Sequence, residues 1–169
     1  MDITHRIWHE LVTSSYQAIY SSIYNSRIRN FSDRLNLFTS IVTSASVGGW
    51  AIWDEYPGLW GVIIALSQLV NIAKPYISSI RDYELYHEMQ MHYQELHFEL
   101  DKLWLQISMG RLTTDEIADG YEVIYQKYFD LSKKFLKTRV PFNNTMEEKA
   151  MKEWNKYLGK YGINEEKNE

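Results

Sequence analysis

The sequence has no cysteine. Among side chains that bind metals or transfer protons, the five histidines are therefore the first candidates. His87, His92 and His97 are five residues apart, whereas two imidazoles on one helix reach a single metal when they are four apart. A step of five rotates the next ring by about 140° around the helix. His5 and His9 have the required spacing, but we identify no third ligand near them. We therefore expect no metal, no cofactor and no catalytic activity.

Hydroxyl and carboxamide groups within two apolar runs are the other candidates. The runs are LNLFTSIVTSASVGGWAIW, from Leu35 to Trp53, and LWGVIIALSQLVNIAKPYI, from Leu59 to Ile77. Such groups are costly in hydrocarbon, so they should face each other, another copy or water. One interpretation is that they line a polar pore between several copies, and the other is hydrogen bonding between packed helices. The candidate pore-lining residues are Thr39, Thr43, Ser46, Ser67, Gln68 and Asn71.

Both runs are long enough to cross a membrane as helices. The first has no charged residue over nineteen positions, so as a helix it would extend about 28 Å, close to the roughly 30 Å of a bilayer's hydrocarbon core. The second is free of charge until Lys74, whose amine can extend to the headgroups. The short turn DEYPG joins them. This pattern predicts a two-helix transmembrane hairpin over residues 31–77, and the alternative is a helical hairpin buried in a soluble bundle.

Residues at the ends of the runs indicate an orientation. Aromatic side chains occur at both ends, as is typical of membrane interfaces. Basic residues occur at the open end of the hairpin, whereas the turn offers only acidic ones, so the positive-inside rule places both termini in the cytoplasm. The predicted interface anchors are Trp50, Trp53, Tyr56, Trp60 and Lys74, with Phe31 and Tyr76 at the open end.

Small residues recur every four positions in each run. This spacing lets two helices approach closely where hydrophobicity supplies no attraction between them. We therefore predict a helix–helix seam, and ordinary packing is sufficient to explain it. The seam residues are Ser40, Ser44, Gly48, Gly61 and Ala65.

The segments around the hairpin also have helical periodicity. Residues 1–30 predict an N-terminal amphipathic helix that packs on the later helices or, alternatively, lies along the membrane surface. A break is expected at Asn30–Asp33, where Ser32 would cap the next helix. The cytoplasmic helical region, residues 78–162, should contain three helices. The first runs from Ser78 to Met109 and ends at Gly110; the second starts at Thr113 or Thr114; the third opens with a capping box at Thr145–Glu148. We expect a disordered tail over residues 163–169.

The first of these cytoplasmic helices carries apolar residues in alternating steps of three and four. This spacing is typical of an a/d seam, and we predict that the seam joins copies of the chain in an oligomer. Its members are Tyr86, Met89, Tyr93, Leu96, Leu100, Leu103 and Ile107.

Composition restricts the classes of function. The chain has three prolines and eight glycines in 169 residues, which favours long helices and an all-α fold. The formal net charge is −4 with acidic and basic residues interleaved, so no basic stripe is available for nucleic acid. The N-terminal sequence MDITHRIWHE does not match a signal peptide. The first apolar run would then be the insertion signal.

The stretch from Ile19 to Ile107 resembles the SLATT family of two-transmembrane effector domains, which are associated with bacterial nucleotide-second-messenger and nucleotide-sensing conflict systems. The similar features are the basic approach from Arg27 to Arg34, the turn DEYPG, spans with scattered Ser, Thr, Gln and Asn, and the charged helix from Arg81 onward.

The resemblance implies an antiviral effector that oligomerises in the bacterial inner membrane, perforates it after infection is sensed, and causes death or arrest of the cell. The chain departs from that pattern after the hairpin, where two further helices follow without a nucleotide-binding motif, so sensing would belong to a nucleotide-sensing or signal-producing partner protein. A second interpretation is a membrane-anchored adaptor, and a third is a soluble helical protein. Both of these would bind a partner protein without forming a pore.

Overall fold

The computed structural model describes residues 2–45, 57–135, 138 and 140–162, and all the regular secondary structure among them is helical. No strand occurs among them, so the all-α prediction is confirmed for this part of the chain. The α-helices are α1 (Ile3–Ala45), α2 (Pro57–Ala73), α3 (Ser78–Arg81), α4 (Tyr83–Ser108), α5 (Thr114–Lys134) and α6 (Asn144–Leu158). Short 3₁₀ turns follow α2 (Lys74–Tyr76) and α6 (Gly159–Tyr161).

Two compact units divide the chain. The terminal unit combines Met1–Asn25 with Leu85–Glu169, and the central unit is Ser26–Glu84. The first run and the second run both lie in the central unit. The N-terminal part of α1 belongs with α4, α5 and α6.

The terminal unit is built on an apolar core where α1, α4 and α5 meet. Ile7 and Leu11 of α1 are fully buried, and they pack in one cluster with leucines of α4 and with Ile117 and Tyr121 of α5. The N-terminal residues of α1 therefore pack on α4 and α5, while the separate N-terminal amphipathic helix over residues 1–30 stays a prediction. Burying a side chain of this size contributes about 1.5–3 kcal/mol.

The predicted oligomer seam of α4 is largely inside this core. Leu96, Leu100 and Leu103 pack against α1 and α5 of the same chain, because those helices present matching apolar stripes. Tyr86 and Met89 are also buried. These side chains therefore pack within one chain, and a contact between copies along α4 stays a prediction. The remaining members of the set, half-buried, are Tyr93 and Ile107.

Within the terminal unit, hydrogen bonds join α1 to α6 and to α4. The Trp154 indole nitrogen donates to the Val12 carbonyl at 3.2 Å and to the Ser15 hydroxyl at 3.0 Å. The Asn25 amide nitrogen donates to the Tyr86 carbonyl at 3.0 Å. Since both groups are partly or fully buried, these bonds fix where α1 lies against its neighbours.

Some helix ends match the sequence predictions. Thr113 caps α5 with a full capping box in which Glu116 takes part, and Gly110 has a φ of +63° after α4, a conformation that glycine adopts without strain. The predicted cap at Thr145 is wrong, because Asn143 accepts from the Met146 amide and starts α6 earlier. Asparagine and threonine are both good caps, and an earlier start buries Met146.

Two other predicted boundaries are wrong. The helix break at Asn30–Asp33 is absent, since α1 runs through it; neither proline nor glycine occurs in that helix, so nothing ends it. The predicted single helix Ser78–Met109 is interrupted at Asp82, whose backbone leaves the helical region. The Asp82 carboxylate there accepts two hydrogen bonds from the Arg81 guanidinium, at 2.8 and 3.1 Å.

Candidate membrane-embedded site

One helical stretch among the described residues is long and apolar enough to cross a membrane, and it is the 19-residue stretch Gly58–Tyr76. By length and composition a core helix of a soluble protein would meet the same criterion. A core helix is mostly buried, however, and only 6% of the most apolar window of this stretch is buried within the chain. The structure describes the first run only as far as Ala45, so the predicted turn and the rest of that run lie outside the described residues.

The central unit turns large apolar side chains outward. Seven of them on α1 and α2 are between 51 and 64% exposed. Soluble monomers rarely expose a continuous apolar surface of this kind unless it binds a partner or a membrane. The seven residues are Leu37, Ile41, Leu59, Val62, Leu66, Leu69 and Ile72.

The same unit buries hydroxyl groups. Thr39 of α1 is 6% exposed and Ser67 of α2 is 1% exposed. Thr39 satisfies its hydroxyl by donating to the Asn36 carbonyl at 3.0 Å, whereas the Ser67 hydroxyl has no hydrogen-bond partner among the described groups. For these two hydroxyls and the seven exposed apolar side chains, burial is the reverse of the order that water imposes.

The predicted pore-lining residues fall into two sets. Thr39 and Ser67 are buried within the chain, whereas Thr43, Gln68 and Asn71 are exposed. Thr43 donates its hydroxyl to the Thr39 carbonyl at 2.7 Å, so it is satisfied locally. The exposed set is therefore the part that a second copy or water could reach. Ser46 lies outside the described residues.

The predicted seam of small residues is not buried within one chain. Ser40, Ser44, Gly61 and Ala65 are all exposed, and a Cβ atom added to Gly61 would meet no atom within 4 Å. The buried face of each helix is a different one, which carries Thr39, Val42 and Ser67. Gly48 lies outside the described residues.

Among the predicted interface anchors, Lys74 makes the most informative contact. Its amine donates to the Asn36 side-chain oxygen, which joins the beginning of the first run to the end of the second. Sequence reasoning missed Asn36, although a polar residue near one end of a span is the natural partner for a lysine at the matching end of the next. Trp60 is half-exposed and Tyr76 is 82% exposed. Trp50, Trp53 and Tyr56 lie outside the described residues.

Two histidines of the terminal unit, His92 and His97, lie among aromatic rings. His92 is buried and stacks on Tyr128, with ring centroids 4.9 Å apart and 7° between the planes. Burial lowers the pKa of His92 and of His97, because desolvation disfavours the charged imidazole. In the described part of the chain, no three His, Asp or Glu side chains are grouped closely enough to hold a metal ion.

A groove of about 410 Å³ runs along α1 in the terminal unit. His97 and Tyr157 form part of its wall, and their rings meet edge to face at 5.2 Å. The Tyr157 hydroxyl pairs with that of Tyr161, which donates to the Asp101 carboxylate. Among the described residues that line this groove, no nucleophile is hydrogen-bonded to a base.

Comparison with known proteins adds no assignment. No family model, curated protein or solved structure matches the chain. The resemblance to the SLATT family therefore rests on the residues described above.

Proposed function

We propose that this protein is a two-pass membrane effector of a bacterial antiviral system, which oligomerises into a pore and depolarises the inner membrane. The observation that carries the proposal is the reversed burial of the central unit, with Ser67 inside and leucines outside. A bilayer is the solvent in which that distribution costs least. The proposal includes an antiparallel hairpin of the two runs, with both termini in the cytoplasm.

The contact between Asn36 and Lys74 supports the hairpin. Asn36 is the second residue of the first run, and Lys74 lies three residues before the end of the second. In an antiparallel pair of equal spans these two positions lie at the same depth, near the cytoplasmic headgroups. Their polar side chains would satisfy each other where the hydrocarbon begins.

Pore formation needs several copies, because two helices cannot enclose a channel. Gly61, Ala65 and Gln68 follow each other at steps of four and three on α2, so they share one exposed face. The two small residues let the helix of a second copy approach closely, and the Gln68 carboxamide would then face another copy or water instead of lipid. Asn71, one turn further along, extends the polar part of that face.

The resemblance to the SLATT family supports the biological role within this proposal. An effector of that kind stays inactive until infection is sensed and then arrests or kills the cell. The trigger would be delivered by a nucleotide-sensing or signal-producing partner protein that contacts the terminal unit.

A second candidate function is a membrane-anchored adaptor, and one observation on α4 favours it. Met91, Phe98 and Leu105 repeat every seven residues and are 52, 68 and 53% exposed. An apolar stripe with this period along a solvent-facing helix is typical of a surface that receives another helix. Under this alternative the apolar runs serve as an anchor, and the α4 stripe binds the partner protein.

Expression in bacteria with a membrane-potential dye distinguishes the two functions. We expect wild-type protein to depolarise the cells, and Gln68→Leu and Asn71→Leu each to weaken the effect. Gln126→Leu is the matched control, because Gln126 is an exposed glutamine of α5 outside both runs, and this change should leave the depolarisation unchanged.

Fractionation of the same cells decides between the remaining outcomes. A chain that sediments with membranes after alkaline carbonate extraction yet leaves the dye unchanged would be an anchored adaptor. A chain that remains in the supernatant of a detergent-free lysate would be a soluble helical protein, and the membrane proposal would be wrong.

A further inference from the structure

A pocket of about 310 Å³ lies within the central unit, next to the spans. It combines apolar walls with one cation, one anion and two hydroxyl groups. Residues of α1, α3 and the start of α4 form it. The lining residues are Ile28, Arg29, Ser32, Asp33, Ile80 and Tyr83.

The pocket lies at the depth of lipid headgroups if the proposed membrane placement is correct. Asp33 precedes the first run at Leu35 by two residues, and Ile28 precedes it by seven. At 1.5 Å per residue these positions lie about 3 and 10 Å below the hydrocarbon boundary. The headgroup layer on each side of a bilayer is about 5–8 Å thick, so the upper part of the pocket is inside it.

The charged pair in the pocket is arranged to be shared with a ligand. The Arg29 guanidinium and the Asp33 carboxylate are 3.9 Å apart, and their side chains are 73 and 65% exposed. An exposed pair at that separation contributes little to stability, so both groups remain able to bind something else. Guanidinium binds phosphate well, and a carboxylate one helical turn away accepts from an ammonium group.

We propose that this pocket binds the headgroup of a zwitterionic aminophospholipid of the phosphatidylethanolamine type. Arg29 would hold the phosphate, Asp33 the primary ammonium, and Ile28 with Ile80 the glycerol end of the acyl chains. A purely anionic headgroup would place its charge beside Asp33 without giving that carboxylate a partner. Arg27 and Arg34, on the same helix, attract the phosphate of every phospholipid. Selectivity for one headgroup therefore depends on Asp33.

Titration of full-length protein in detergent micelles tests the proposal. The protein carries labelled isoleucine methyl groups, and the probes are short-chain phosphatidylethanolamine, phosphatidylglycerol and phosphatidylcholine. We expect the ethanolamine lipid to shift the Ile28 and Ile80 methyl resonances saturably and at least several-fold more tightly than the other two. Asp33→Asn should remove that preference, and Arg29→Gln should weaken binding of all three lipids.

Two matched controls separate the pocket from the general basic surface. Arg27→Gln and Glu84→Gln remove exposed charges that do not line the pocket, so both should leave the preference intact. If phosphatidylglycerol bound as tightly as phosphatidylethanolamine, or if the preference survived Asp33→Asn, the proposal would be wrong. Binding would then reflect only the attraction of basic side chains to phosphate. The inference rests on the proposed membrane placement but not on conduction. If the protein depolarised cells but showed no lipid preference, only the headgroup proposal would be wrong. If it bound phosphatidylethanolamine but did not depolarise cells, only the pore proposal would be wrong.

Discussion

Placing an arginine at Leu66 would test which solvent surrounds α2. Leu66 is 51% exposed and is the ninth residue of the 19-residue stretch Gly58–Tyr76, about 12 Å along the helix from its start. In a bilayer, replacing leucine by arginine at a helix centre costs about 3–4 kcal/mol of insertion free energy. That corresponds to a factor of roughly 10² to 10³ in the insertion equilibrium.

Water as the solvent gives the opposite expectation. An exposed leucine replaced by arginine on a soluble helix changes stability by no more than about 0.5 kcal/mol, and it improves solubility. The two solvents therefore differ in the size of the expected effect by several-fold. Tyr76→Arg is the matched control, because Tyr76 ends the stretch and is 82% exposed, and an arginine there reaches the headgroups.

The assay is the fraction of full-length chain that resists alkaline carbonate extraction from bacterial membranes. A second readout is the reaction of single cysteines, introduced on each side of α2, with a membrane-impermeant thiol reagent. The sequence has no cysteine of its own, so no other thiol reacts. We expect Leu66→Arg to move most of the chain out of the resistant fraction and Tyr76→Arg to behave as wild type. Equal behaviour of the two variants would refute a lipid environment for α2.

The terminal unit gives three more predictions, measured on the full chain in detergent. Leu100 is fully buried, so Leu100→Ala should lower the free energy of unfolding by about 2–5 kcal/mol. Leu105 is exposed, so Leu105→Ala should change it by no more than about 0.5 kcal/mol. Similar losses in the two variants would contradict the assigned core. Thr113→Ala removes the capping-box acceptor and should cost about 0.5–2 kcal/mol, and Thr113→Ser should restore most of it if the hydroxyl is responsible. Burial lowers the pKa of His92 below 6.5 in the folded chain, so the unfolded chain is protonated at a higher pH than the folded chain. The free energy of unfolding therefore keeps the full contribution of neutral His92 above about pH 6.5 and decreases as the pH falls below that value. His92→Phe should reduce the fall in thermal midpoint between about pH 7.5 and 5.5, and an undiminished fall would exclude His92 as a cause.

Periodicity was sufficient to predict the terminal unit. The stripes of α1, α4 and α5 each have apolar residues on one face, and three such helices can bury those faces only against one another. Leu96 and Leu100 were therefore recognisable as members of an apolar seam. The helix against which they pack could not be predicted, because a heptad stripe can pack equally well on a helix of the same chain or on a helix of another copy.

The central unit was harder to predict because each of its helices has two faces that could pack. One face of α1 carries Ser40 and Ser44, and another carries Thr39 and Val42. Small residues and hydroxyls both suit a helix–helix contact, so composition does not decide between them. The structure buries the second face, which leaves the small residues exposed.

Helix boundaries failed where two adjacent signals competed. Asn143 and Thr145 are both acceptable caps, and the choice depends on the burial of Met146, a tertiary effect. Ser32 and Asp33 are also typical of a helix start, but both are tolerated inside a helix that no proline or glycine interrupts. The aromatic stack on His92 was unpredictable for a similar reason, since Tyr128 lies on another helix.

The lone hydroxyl of Ser67 bears on how firmly the present helix packing is held. A buried donor without an acceptor costs about 1–3 kcal/mol, and any rearrangement that brings Ser67 to water or to an acceptor regains that free energy. A gain of this size multiplies the population of the rearranged state by roughly 5 to 150. The described packing therefore carries a free-energy penalty at Ser67 that is removed by any rearrangement giving this hydroxyl a partner.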